Sequence, residues 1–566
     1  MTRVTRRSLL GGAALGTVAI GATSLTACAK TGPEKYKGEV AFQHGVASGD
    51  PLPDRMILWT RVTPLSGAGP IPVRWEVLRA GQDTPVSAGM AEASETKDYC
   101  VKVDAGGLEP GSDYTYRFTA LTDHGDVTSP TGRLRTPAAN GSSAVHLAVV
   151  SCSNWQFGLF NAYKALAAEP NLDAVVHLGD YLYEYGIDGY GGDVAVKIGR
   201  MHEPSTEIMT LADYRQRHAQ YKTDPDLQAA HAAAPWICTW DDHESANDAY
   251  RTGAQNHNPE DGEGEWSARK MAAVQAYFEW MPIRDIKPGE VTSVAWRTFR
   301  FGDVATIHAL ETRLTGRSES LSWSTALAGA TDPAEAGAKV QAMMQTAADP
   351  ARTMMGAEQE NWLNGELARS VSSGAAWQVL ANQVIMARVK LPNFAETLTA
   401  EQVAAQDMPE VKGLLAFTAM GLPWNLDAWD GYPAARERLY DSVSAAGARL
   451  VTLAGDTHTA YANELYDARG IRRGVEFGCT SISSPGMGAY VKAVPDLGQQ
   501  IADANDEVVW HDPFGHGYTL VSLTPGAARA VFRKVSDIYS ETFSTETVAS
   551  YEASAEAGGV SALKPV

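Results

Sequence analysis

Four short runs of this chain carry side chains able to hold metal ions: Ser151-Cys152-Ser153, Gly179-Asp180-Tyr181-Leu182-Tyr183, Asp241-Asp242-His243-Glu244 and Gly455-Asp456-Thr457-His458. Cys152 offers a thiolate, a donor that a hard alkaline-earth ion does not select. Tyr183 offers a phenolate, whose hard anionic oxygen favours a ferric ion. His458 offers an imidazole, and Asp456 a carboxylate on the same face of an extended chain. The two oxygens of Asp180 can bridge a pair of cations. Such a mixture suits a redox-capable metal such as iron beside a second, more oxygen-bound cation. Taken singly, each run has a plainer reading: a strand-closing Cys is usually a buried thiol, and Gly-Asp is common in turns. It is the conjunction that points to a metal centre.

Each run follows an apolar stretch that reads as a strand. Residues 145–150 and 174–178 are almost continuously apolar, as expected of parallel strands covered on both faces. Residues 160–169 between them read as a helix, which completes a βαβ unit. A helical stretch over 211–233 leads into the apolar run 236–240. Further strands are expected at 294–310, 377–384, 450–453 and 518–523, with helices and loops over 318–358. In open α/β sheets, functional groups gather beyond the carboxyl ends of the strands, where all four runs lie. Before this region, 40–137 alternates in short strand-like runs between Gly and Pro turns, the pattern of an immunoglobulin- or fibronectin-like module. A Pro-, Gly- and Ser-containing linker follows. The acidic, small-residue-rich stretch 536–566 is expected to be a loose tail or a covering segment.

At 566 residues the chain is too long for one compact core. Its net charge of −20 argues against a nucleic-acid-binding surface. It would also repel a phosphorylated substrate at long range, so local positive charge is needed, which bound metals can supply. Residues 1–29 read as an export signal: Arg3, Arg6 and Arg7 precede a Gly/Ala-rich apolar stretch, and Thr5-Arg6-Arg7-Ser8-Leu9-Leu10 is of twin-arginine type. The expected partner is the twin-arginine export machinery, and the expected location is periplasmic or extracellular. Leu25-Thr26-Ala27-Cys28 fits a lipobox and Ala27-Cys28-Ala29 a simple cleavage site. Membrane attachment is expected only if Cys28 is lipidated. The five cysteines make no disulfide framework for a chain of this length.

Gly179-Asp180-x-x-Tyr183 matches the GDxxY element of metallophosphatases. Asp241-Asp242-His243-Glu244 occupies the place of their Gly-Asn-His-Asp/Glu element, and Gly455-Asp456-Thr457-His458 that of Gly-His-x-His. The departures, with Asp242 for Asn, Asp456 for His, and Ser151-Cys152-Ser153 for Asp-x-His, resemble the PhoD-type alkaline phosphatase/phosphodiesterase family. Gly45-Val46-Ala47-Ser48-Gly49-Asp50-Pro51, Trp429-Asp430-Gly431-Tyr432-Pro433 and Thr480-Ser481-Ile482-Ser483-Ser484-Pro485-Gly486 agree. Glu311-Thr312-Arg313 departs mildly, since the family usually has Asp in place of Glu311.

The resemblance implies a four-layer α/β metallophosphatase-like sandwich over 144–535, behind an all-β immunoglobulin/fibronectin-like domain over 40–137. It implies Fe(III) and Ca(II), with Cys152, Asp180, Tyr183 and His458 on the iron and Asp180, Asp242 and Asp456 facing calcium. His243 reads as an acid or transition-state stabiliser, and Asn247 as a contact to phosphate or metal. The implied activity is hydrolysis of phosphate monoesters, with capacity for diesters, through a metal-activated water. The rivals are a phospholipase D-like diesterase acting on lipids or wall polymers, and a non-enzymatic surface lipoprotein. His308 and His44 read as structural histidines and Cys479 as a packing thiol. Trp429 and Tyr432 either line a groove or pack against the fold.

Overall fold

The alternation of burial along the strands decides the architecture. In Val145–Val150, Val145, Leu147 and Val149 enter one core while Ala148 and Val150 enter another. A strand that is apolar on both faces must be covered on both, and here each face meets a different layer. The computed structural model describes residues 34–566 except 287–291, 293, 405–410 and 492–493. The expected export segment, with Arg6, Arg7 and Cys28, lies outside the described residues.

Two sheets stack face to face. One contains Val145–Val150, Ala174–His177 and Trp236–Cys238 as parallel neighbours, extended antiparallel by His516–Leu523 and Ala527–Val535. The other contains Ala305–Ala309, Trp377–Ala381, Leu450–Ala454 and Arg472–Gly478 in parallel. Between them Leu147, Val149 and Val176 meet Ile307, Val379, Leu453 and Phe477. Helices Asn161–Ala167, Leu211–Tyr221, Pro225–Ala233 and Trp266–Trp280 cover the outer face of the first sheet. Gly356–Ser372, Pro433–Ala446 and Leu497–Ala504 cover that of the second. The result is the four-layer α/β sandwich expected of the chain.

The N-terminal all-β region is present, with one sheet shared. A five-stranded sheet built on Ile71–Arg79 and Asp113–Ala120 faces Val46–Leu52, Arg55–Arg61 and Cys100–Gly106 across a core that includes Val73, Tyr116, Phe118, Met56 and Leu58. Those last three strands are also the edge of the first of the two stacked sheets, joined through the parallel pair Gly49 and Trp236. The β-sandwich is therefore continuous with the α/β layers.

Three local expectations change. The helical stretch 211–233 is two helices, because Asp224 accepts from the backbone N–H of Asp226 and Leu227 as an N-cap and Pro225 opens the second helix. The strand expected over 294–310 is a hairpin of Arg297–Phe301 and Ala305–Ala309 turning at Gly302, whose φ is +59°. The stretch after Ser536 is neither a loose tail nor a covering helix. Thr545–Glu556 pairs antiparallel with Ala527–Val535, and Ala549, Tyr551, Ala553 and Ala555 pack on the inter-sheet core. Its inner face is three alanines and one tyrosine, which weakens the hydrophobic alternation that marks a strand.

Candidate metal centre

The carboxyl ends of parallel strands from both sheets converge on one spot. Cys152 follows Val145–Val150, Asp180 follows Ala174–His177, and Asp241 to Glu244 follow Trp236–Cys238. From the second sheet, Arg313 follows Ala305–Ala309, and Asp456 and His458 follow Leu450–Ala454. Three groups of donor atoms result, each with its atoms within 4.8 Å of one another: Cys152, Asp180 and His458; Asp180, Asp242 and His243; and Asp241, Asp242 and Asp456. Asp180 belongs to the first two groups and Asp242 to the last two, so the three form one continuous cluster.

Backbone strain marks the same residues. Cys152, Asp180, Asp456 and His458 have φ of +59°, +54°, +65° and +59°. The left-handed region costs a residue with a Cβ about 1–2 kcal/mol, and such residues gather at functional sites. Neighbouring loops hold them there. Cys152 donates its N–H to the Gly179 carbonyl at 3.2 Å, and Ser153 donates to the Asp180 carbonyl at 2.8 Å. Gly179 cannot carry a side chain: a Cβ there would meet Asp241 Cβ at 2.3 Å. Glu244 ties the two loops together, accepting from the N–H of Asp180 at 3.0 Å, Tyr181 at 2.7 Å and Asp241 at 2.8 Å.

On the thiol side, the Tyr183 hydroxyl lies 3.1 Å from Asp180 Oδ2, 3.1 Å from His458 Nε2 and 2.6 Å from Ser484 Oγ. His458 Nδ1 is 3.0 Å from the Pro485 carbonyl, which takes the proton there and leaves the Nε2 lone pair for a metal. Burial pushes His458 down to about 4, so the ring is neutral as a ligand must be. Burial, and then the Asp180 charge, pushes the Cys152 thiol and the Tyr183 phenol well up.

On the acidic side, Arg313 is fully buried among four carboxylates. Its Nε donates to Asp241, its Nη1 reaches Asp427 at 2.7 Å, and its Nη2 lies 3.4 Å from Asp456 and 3.8 Å from Asp242. Burial raises Asp456 well above the usual carboxylate range, and the Asp241 charge adds to it. Burial also raises Asp241, to about 6. Asp242 goes the other way, because Arg313 and His243 together outweigh its burial.

The donor set fits bound cations. Asp180 Oδ1, Asp241 Oδ2 and Asp242 Oδ1 are buried carboxylate oxygens with no hydrogen-bond partner. Such atoms are rare in folded proteins because each costs its full desolvation, and a metal ion satisfies them. A cation beside them also favours the ionised thiol, phenol and carboxyls that burial alone disfavours.

Of the residues singled out from sequence, Cys152, Asp180, Tyr183, Asp242, His243, Asp456 and His458 come together here. Asn247 sits at the rim: its side-chain amide donates to Gln255 Oε1 at 3.0 Å and its N–H to Glu184 at 2.8 Å. His243 Nδ1 is 2.7 Å from Glu184 Oε2, and its ring stacks on Tyr183 with centroids 4.2 Å apart. Burial opposes its charge, but Asp242, Glu184 and Asp180 outweigh burial and hold the imidazolium well above its ordinary pKa.

In the sequence Asp241 and Arg313 stand within motifs but carry no role of their own, and Glu184 and Asp427 stand in none; only the fold brings their distant partners to them. Glu311, whose role the sequence left open, accepts from Trp240 Nε1 at 2.9 Å and from the N–H of Arg313 and Leu314, shaping the loop that presents Arg313. His308 is buried against Thr298 Oγ1 at 3.0 Å, and His44 meets Trp280 edge to face. Trp429 and Tyr432 pack within the fold, bonded to Asn382 and the Ser318 carbonyl. Cys479 is a buried thiol 3.3 Å from Ser151 Oγ.

A four-layer α/β sandwich with carboxylate, imidazole, thiol and phenol donors at its strand ends defines a protein of the metallophosphatase-like class. A model of the PhoD-like phosphatase family matches residues 147–532, and a model of the N-terminal domain of PhoD-like phosphatases matches 27–138. The chain belongs to the PhoD-like phosphatase family and is a phosphoric ester hydrolase. It is 35% identical over 511 residues to alkaline phosphatase D of Bacillus subtilis (strain 168), covering 87% of this chain and 77% of that one. It is also similar to a solved structure described as that of PhoD, with a TM-score of 0.72 and 31% identity, over 94% of this chain and 92% of the other. Phosphatases of this type are metal-dependent, in keeping with the donor cluster.

Proposed function

We propose that the chain is an exported alkaline phosphatase with phosphodiesterase capacity, built around an Fe(III) and Ca(II) pair. In this reading Cys152, Asp180, Tyr183 and His458 hold the iron, and Asp180, Asp242 and Asp456 face the calcium, with Asp241 beside them. The observation that carries it is the continuous donor cluster with three unpartnered carboxylate oxygens. When bound, such a pair neutralises phosphoryl oxygens and lowers the pKa of water enough to make a nucleophile.

The chain's own groups supply the rest. His243, held charged and oriented by Glu184, stands as a proton donor to the leaving oxygen or a stabiliser of the negative charge that develops on the phosphoryl group. Asn247 gives a neutral amide at the rim for a phosphoryl oxygen. Arg313 keeps the acidic side from repelling an anionic substrate. Export rests on the Arg6-Arg7 signal, and anchoring on lipidation at Cys28.

Asp180→Asn tests the reading. It removes the shared carboxylate charge while keeping the shape, so turnover of 4-nitrophenyl phosphate and bis(4-nitrophenyl) phosphate should fall by about a thousandfold or more, with the circular dichroism spectrum unchanged. Retained turnover of either ester would sink the proposal. For export, the wild-type product should be secreted, and the protein should stay cytoplasmic once Arg6 and Arg7 are both changed to Lys. Unchanged secretion would refute that part alone.

A further inference from the structure

Beside the acidic half of the cluster lies a cavity of about 640 Å³ whose walls are of opposite character. Asp248, Asp427 and Asp456 supply its carboxylates. Leu321, Trp323, Leu327, Leu414, Phe417 and Trp424 make most of the remaining wall, with Ser322, Ser324 and Asn425 among them. The three aromatic rings form a connected wall, with Trp323 and Phe417 centroids 5.7 Å apart and Phe417 and Trp424 6.4 Å apart. Trp323 is fixed by donating its Nε1 proton to the Pro423 carbonyl at 2.8 Å. Trp424 is 38% exposed, and Met420, three residues beyond Phe417, is 41% exposed, so apolar surface continues outward from the cavity.

We propose that this cavity binds an unbranched hydrocarbon chain esterified to the substrate phosphate. The inference rests on the phosphoester-hydrolase reading above and names the class of ester it favours. Three features carry it. The cavity ends on Asp456, a residue of the donor cluster, so a group bound in it is attached to a phosphate at the centre. Its side-chain lining away from the carboxylates is mostly apolar, Ser322, Ser324 and Asn425 apart, and a free phosphate or sugar would leave that apolar surface unfavourably wet. Its 640 Å³ is several times the roughly 150 Å³ that holds a benzene ring, so a single aryl group underfills it and an extended chain does not. The aromatic wall leads out to Trp424, which gives a longer chain a way to continue past the rim.

The test is a series of alkyl 4-nitrophenyl phosphate diesters from methyl to octyl, assayed below their critical micelle concentrations by release of 4-nitrophenolate from the metal-loaded enzyme. The kcat/KM should rise by up to about fourfold per methylene, the fold-change equivalent of about 0.8 kcal/mol, until the cavity is filled. Phe417→Ala and Trp424→Ala should flatten that rise. Trp424 is half out of the fold, so its variant carries little risk of misfolding. A flat series in the wild type, or an unchanged slope in both variants, overturns the proposal with the hydrolase reading intact. No turnover of even the methyl ester, nor of 4-nitrophenyl phosphate, overturns both.

Discussion

The two halves of the donor cluster solve the same burial problem differently. The half formed by Cys152, Tyr183 and His458 is made of groups that are neutral at rest, each fixed by its own contacts: Ser151 Oγ at 3.2 Å from the thiol, Ser484 at 2.6 Å from the phenol, and the Pro485 carbonyl at 3.0 Å from the imidazole. The half formed by Asp241, Asp242 and Asp456, with Asp427 beside them, is an accumulation of like charge around Arg313, and Asp427 also pairs with Arg317. A neutral donor set tolerates burial without a partner, whereas buried carboxylates need a cation built into the fold. In this account the first half therefore decides which metal binds, and the second decides how much charge the site holds.

The largest effect expected from breaking that contrast is on stability, through Arg313. Arg313→Met leaves Asp241, Asp242 and Asp456 without their counter-charge and Asp427 with Arg317 alone. Breaking a buried ion cluster in this way costs about 3–5 kcal/mol, read as a lower urea midpoint in the presence of chelator. Added calcium should recover part of the loss, since a ligand bound only by the folded state stabilises it. An unchanged midpoint would mean that the acidic half does not depend on Arg313.

The first half should respond through the metal and leave stability nearly untouched. Tyr183→Phe removes one hydroxyl and keeps the ring stacked on His243. The variant should fold normally, lose a visible absorption band of ferric phenolate, and fall about 10- to 100-fold in activity or metal retention. A band that survives the substitution would remove Tyr183 from the ligand set.

A smaller effect sharpens the rule about buried cations at a site away from the metal. Lys222 is buried with its Nζ 3.2 Å from His231 Nε2 and over the rings of Trp59 and Tyr181. Burial pushes it down to about 7, whereas Arg313, against four carboxylates, overcomes its burial and is held well up. Between pH 7 and 10 the unfolded chain carries a proton on Lys222 that the folded chain lacks. Its contribution to stability therefore rises with pH through that window. Lys222→Met should be the more stable protein near pH 7, with the advantage shrinking by on the order of 1 kcal/mol per pH unit as pH rises. An advantage that is constant with pH would show that the ammonium is charged in the folded state.

Much of this was legible in the sequence, for physical reasons that differ by element. Strands such as Val145–Val150 announce themselves because burial on both faces demands a continuous apolar run, and the ligands stand at their ends. Cys152, Asp180 and His458 were therefore readable from position and chemistry together. Arg313 and Asp427 were not, because each looks like a surface residue until the fold buries them against each other, 114 residues apart in the chain. Glu184 was hidden in the same way, one residue past Tyr183 and aimed at His243. The strand Thr545–Glu556 escaped because its inner face is Ala and Tyr in place of branched aliphatics, and the shared sheet of the N-terminal module escaped because strand neighbours across a domain boundary leave no local signal.

Elemental analysis of the purified protein and of Cys152→Ser tests the central claim most directly. The wild type should carry about one iron per chain together with calcium, and the variant should lose the iron while keeping the calcium. Iron retained in full by Cys152→Ser, or a wild-type protein active with neither metal bound, would contradict the account.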